Sequence, residues 1–112
     1  NGFAFQQFVA RVLAEQADRA YARLHFWRTK DGAEADFVLV RGRELVPVEA
    51  KDALLRNPTV GRSLRSFIAA YHPKDAYIVH RGEAMEVRVD ATMVHVLPWH
   101  TVVTTPILRE TP

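Results

Sequence analysis

The sequence predicts an α/β domain with two amphipathic helices against a mixed central sheet. The order is helix, three strands, helix, strand, followed by two further short strands. Three observations carry this. Two segments, at the N-terminus and near residue 60, repeat apolar residues at helical spacing. Glycine-bearing turns at Asp31-Gly32 and Gly42-Arg43 join the first three strands as an antiparallel meander. The second helix then returns the chain, so that the fourth strand joins the sheet in parallel.

Each element has its own local reason. Phe5, Phe8, Val9, Val12 and Leu13 form the apolar face of the first helix, with Ala10, Ala14 and Ala17 as strong helix formers, and it ends between Arg19 and Arg23. Leu24 to Thr29 reads as a short aromatic strand, and Glu34–Val40 and Leu45–Lys51 as the next two. Asn57-Pro58-Thr59 breaks the pattern and offers Thr59 as an N-cap to a second helix over Val60 to Tyr71, with Val60, Leu64, Phe67, Ile68 and Tyr71 as its stripe. His72-Pro73 ends it. Ala76–His80, Met85–Val89 and Val94–Leu97 read as strands, and residues 101–112 lose periodicity and read as a tail after a domain spanning 1–100.

The 112 residues suffice for one domain with a modest core. Hydrophobic residues at 48% and charged residues at 25% are those of an ordinary soluble domain. Fifteen basic against 13 acidic residues leave a charge of only +2, which admits an acidic partner without demanding one. The absence of cysteine excludes disulfides and thiolate metal sites and fits a cytoplasmic setting. No apolar run is long enough to span a membrane. The start at Asn1-Gly2-Phe3, already in helical pattern, reads as a domain cut from a longer protein.

The second and third strands carry the chemistry. A turn at Gly42-Arg43 pairs residues whose numbers sum to 85, which sets Asp36 opposite Glu49 and Glu34 opposite Lys51, all on one face. Two carboxylates facing each other at about 5 Å repel unless a cation lies between them, and either a divalent metal or the Lys51 ammonium would serve. Mg²⁺ and Mn²⁺ take oxygen ligands of this kind. Asp36 and Glu49 are therefore the candidate metal ligands, with the backbone carbonyl of Ala50 as a third. Lys51 is placed to orient a water or neutralise a developing phosphorane, and Glu34 to hold the lysine or relay a proton. The plain alternative is a ladder of surface ion pairs. Against it, Phe37, Val38, Leu39 and Val40 are apolar on both faces, as in a buried strand.

The order Asp36, then Glu49-x-Lys51, resembles the PD-(D/E)xK nuclease superfamily with its restriction-endonuclease-like core. A closer resemblance runs through Gly2-x-x-Phe5-x-x-Phe8-Val9, Phe26-Trp27-Arg28, Gly32-x-Glu34-x-Asp36-Phe37, Val48-Glu49-x-Lys51 and Leu97-Pro98-Trp99. These look like the C-terminal domain of prokaryotic AAA-type ATPases catalogued as domain of unknown function 4143. The resemblance implies a divalent-metal-dependent nuclease-like module (Mg²⁺ or Mn²⁺) with an ATPase domain N-terminal to it in the parent chain. ATP itself has no Gly-x-x-x-x-Gly-Lys-Ser/Thr loop to bind here. The sequence departs from the family at Gln6, where a glutamate is usual, and an amide is a weaker ligand for a hard cation.

Arg62 and Arg65 on the second helix and Trp27 and Arg28 beside the Asp-Gly turn are the candidate nucleic-acid contacts; the alternatives are a solvated helix face and rim packing. The five histidines lack zinc-site spacing. Three functions follow in order: a metal-dependent nuclease module, a catalytically inactive nucleic-acid-binding module, and a protein-interaction domain that regulates the ATPase.

Overall fold

The computed structural model of the protein describes residues 2–28 and 34–110, with side chains at 2–26 and 36–110. Its elements are α1 (Gly2–Arg19), β1 (Arg23–Arg28), β2 (Glu34–Arg41), β3 (Glu44–Lys51), α2 (Arg62–Tyr71), β4 (Asp75–His80), β5 (Met85–Val89), β6 (Thr92–Pro98) and α3 (Trp99–Thr104). The six strands form one sheet in the order β1-β2-β3-β4-β6-β5. β1, β2 and β3 are antiparallel neighbours, β3–β4 and β4–β6 are parallel, and β5 pairs antiparallel with β6. The expected α/β architecture with a mixed sheet and extra C-terminal strands is therefore present. The turn expected at Asp31-Gly32 lies outside the described residues.

Strand alternation splits the core into two layers. Phe37, Leu39, Val46, Val48 and Ala50 point to the face covered by α1 and pack with Phe5, Val9 and Leu13. Ala76, Ile78, Val94 and Val96 point to the other face and pack with Leu64 and Ile68 of α2. Each layer excludes water from one face, and together they supply the hydrophobic driving force for folding.

Two boundaries differ from the sequence expectation, whereas α1 ends at Arg19, within the expected Arg19–Arg23 window. α1 stops without glycine. Ala22 N–H donates to Ala17 C=O at 2.8 Å and Tyr21 N–H to Asp18 C=O at 3.3 Å, the paired bonds of a Schellman cap. Tyr21 takes the left-handed position, with φ 56°. α2 begins at Arg62 rather than Val60, with extended Gly61 as N-cap, so Thr59 does not cap it. Its C-terminus closes at His72, φ 50°, whose N–H donates to Ile68 C=O.

The second difference is the C-terminal segment, which is not a loose tail. Residues 99–104 form α3, and Val102 and Leu108 are buried in the α1 layer. Gln16, itself buried in α1, holds this segment from both sides. Its Nε2 donates to Val102 C=O at 2.8 Å, and its Oε1 accepts from Ile107 N–H at 3.0 Å. Arg41 adds donations from Nη1 to the carbonyls of Ala20 and Arg109. The sequence pattern is silent here because these are long-range polar contacts, not a local apolar period.

Candidate functional site: a buried carboxylate pair

The β2–β3 register is the one expected from Gly42, which has φ 60° at the turn. Asp36 faces Glu49, and Glu34 faces Lys51, with Ala35 opposite Ala50 between them. Asp36 is 8% exposed and Glu49 5%, so the pair is no surface ladder. Lys51 is half-buried, two residues past Glu49 and on the same face. The side chain of Ala50 packs in the α1 layer, which leaves its peptide group as its only contribution to the site. On β1, Trp27 stands opposite Asp36 and Arg28 opposite Ala35. The side chains of Trp27, Arg28 and Glu34 lie outside the described residues.

α2 lies over the same face as the carboxylates. Ser63 in its first turn donates from Oγ to Asp36 Oδ2 at 3.1 Å. This contact was not singled out from sequence, because it depends on where the crossover helix lands. A hollow of about 260 Å³ opens beside Asp36, floored by Val38 and Pro47 and walled by Ser66, Phe67 and Tyr71. Arg62 and Arg65 are both exposed on α2. Arg65 Nε donates to Val60 C=O at 2.9 Å and staples the helix start, whereas Arg62 stands one turn before Ser66, which lines the hollow.

The strand end beyond Lys51 is also fixed. Arg81 pairs with Asp52, donates its N–H to Ala53 C=O at 2.9 Å, and sets its guanidinium 4.8 Å above the Phe5 ring. His80 is fully buried. Its Nδ1 accepts from Leu55 N–H at 3.3 Å and its Nε2 lies 2.8 Å from Glu83 C=O, which makes it the neutral Nε2–H tautomer. A Cβ on Gly82 would sit 2.6 Å from His80 Cε1, so only glycine admits this histidine. Lys51 thus precedes a segment tied to the end of β4 through Asp52, Ala53 and Leu55.

Gln6 is also buried, but it lies on α1, which covers the opposite face of the sheet from Asp36. Among the described residues no three His, Asp or Glu side chains group as metal ligands. The acidic set that the structure describes is Asp36 with Glu49. Hard oxygen donors, directly opposed and screened from water, suit a small divalent cation, with water and a phosphate completing its coordination.

Fold and site together define an α/β domain with a buried acidic pair at the end of a β-hairpin, beneath a crossover helix. The family model described as "Domain of unknown function (DUF4143)" matches residues 1–102, and the chain belongs to that family. No curated protein and no solved structure matches the chain. No described helix is long and apolar enough to cross a membrane.

Proposed function

We propose that this domain is a divalent-metal-dependent phosphodiesterase module of the nuclease-like PD-(D/E)xK kind, working alongside an ATPase domain of the same parent chain in the cytoplasm. The observation that carries this reading is the burial of Asp36 directly opposite Glu49, with Lys51 on the same face. Two hard carboxylate donors directly opposed in a buried setting are the ligand type that Mg²⁺ and Mn²⁺ prefer. When bound, Mg²⁺ or Mn²⁺ supplies an activated water and stabilises the leaving oxygen.

The protein's own groups do the rest. Asp36 and Glu49 hold the cation, with the Ala50 carbonyl as the proposed third ligand. Ser63 fixes the rotamer of Asp36 through its 3.1 Å bond. Lys51 places an ammonium where negative charge accumulates on the phosphoryl oxygens. Asp52, ion-paired with Arg81, follows it directly in the chain.

The test is calorimetric titration of Mg²⁺ and of Mn²⁺ into the protein and into Asp36→Ala, followed by cleavage assays on DNA and RNA. Metal uptake lost in the variant supports the reading. Metal uptake equal in both proteins, or cleavage that survives the substitution, overturns it. Gln6 favours a second reading, a catalytically inactive module that binds nucleic acid or a protein partner, because the family's usual helical acid is absent. Salt-sensitive binding without cleavage is its signature.

A further inference from the structure

The α2 face of the outer strands is only partly roofed. The hollow beside Asp36 runs on past Val38, Phe67 and Tyr71 into a second one of about 420 Å³, bordered by His25 and Leu45. The two share Val38, Phe67 and Tyr71, so they form one groove along β2. Its aromatic wall is the Phe67–Tyr71 pair, with ring centroids 4.7 Å apart and planes inclined by 40°. Tyr71 is 59% exposed, although it stands on the stripe that the helical period assigns to the core. At the acidic end lie the Ser63 and Ser66 hydroxyls and exposed Arg62. At the other end Arg23, also exposed, pairs with Val40 on the same sheet face as Asp36. Four residues of strand separate these ends, about 13 Å.

We infer that this groove receives an unpaired base of single-stranded nucleic acid, stacked on Phe67 and Tyr71, with one flanking phosphate at the carboxylate pair and the next at Arg23. The inference rests on the phosphodiesterase reading and names its substrate class. Three features select the occupant. The groove is apolar and aromatic in the middle, which suits the face of a base. Its ends suit two phosphates, one through a cation held by Asp36 and Glu49 and one through a guanidinium. A duplex keeps its base faces covered by stacking, whereas a single strand offers them to aromatic side chains.

The experiment is fluorescence anisotropy in Mg²⁺ with a fluorescein-labelled oligothymidine of a dozen nucleotides, competed by the unlabelled strand or by a duplex of equal length. It is run on the protein, Tyr71→Ala and Arg23→Ala, with Mg²⁺ calorimetry on each. Tyr71→Ala is expected to weaken strand binding about tenfold, within the range of one base–aromatic stack. Arg23→Ala is expected to lower the salt slope of binding by about 1. Mg²⁺ uptake is expected to be unchanged in both. A Tyr71→Ala protein that binds like the parent, a duplex that competes as well as the strand, or no strand binding at all overturns the inference. If Mg²⁺ uptake is present in those cases, the phosphodiesterase reading still stands. Strand binding that depends on Tyr71 without any Mg²⁺ uptake supports the groove and removes the phosphodiesterase reading.

Discussion

Ser63 donates a hydrogen bond to Asp36, Oγ to Oδ2 at 3.1 Å, and so ties the first turn of the crossover helix to the strand residue that faces Glu49. One oxygen of Asp36 is thereby oriented from outside the hairpin. Groups that orient a ligand carboxylate commonly alter metal affinity by about 10–100-fold when removed. Ser63→Ala is expected to weaken Mg²⁺ binding about tenfold with the urea midpoint little changed. Calorimetry beside a denaturation curve separates the two effects, and an unchanged metal affinity would remove Ser63 from the site.

The role proposed for Lys51 differs from that of the acids, and its loss should read differently. Lys51→Ala is expected to leave Mg²⁺ uptake intact while cleavage falls by about 10²–10³, the usual cost of one group that stabilises developing charge. Single-turnover rates at saturating metal measure this. Equal losses of metal affinity and rate would instead make the lysine part of the metal site.

Gly82 is expected to tolerate no side chain. In Gly82→Ala the new methyl meets the His80 ring, which both of its nitrogens hold in place. Overpacking of this kind costs about 1–3 kcal/mol. Urea unfolding gives the value, and amide exchange of Leu55 should rise with it.

Gln16→Ala should release the C-terminal segment. Two buried bonds disappear, leaving Val102 C=O and Ile107 N–H to find water. The expected cost is about 1–3 kcal/mol. Limited proteolysis should then cut between residues 99 and 110 well before the sheet is attacked. Cleavage at the same rate as in the parent would show that the apolar contacts of Val102 and Leu108 suffice.

Tyr77 gives a pH prediction with a definite sign. Burial first, then the carboxylates of Asp75 and Glu44, push its phenol above the ordinary 10.0. The folded chain therefore holds this proton more tightly than the unfolded chain. The associated stability is fully present below pH 10 and is lost as pH rises through the folded value. Unfolding curves below and above pH 10 should show a smaller alkaline loss in Tyr77→Phe than in the parent.

The hairpin and its acidic pair were legible in the sequence because one turn fixes every register. With Gly42-Arg43 as the loop, alternation alone sets Asp36 against Glu49. The strands beyond it were legible from their apolar runs. The end of α1 was legible as a window from Arg19 to Arg23 but its cap was not, since Tyr21 adopts a left-handed conformation for which glycine is the usual signal. The start of α2 slipped because Thr59 stands three residues before the helix and caps nothing. Ser63 and the Tyr71 groove depend on where a crossover helix lies across the sheet, a tertiary fact without local pattern. The role of Gln16 was hidden for the same reason: its partners lie 86 and 91 residues away.

That separation has a consequence for assembly. The N-terminal helix and the segment after β6 complete each other's polar bonds, so the α1 layer is not finished until nearly the whole chain is available. Local hairpins can form early, but the α1 layer closes only after a loop spanning most of the sequence is drawn shut, a slow and entropically costly step. A ribosome-bound chain stopped short of Val102 should therefore carry the first helix on the β2–β3 hairpin with the Gln16 side chain still lacking both of its C-terminal backbone partners.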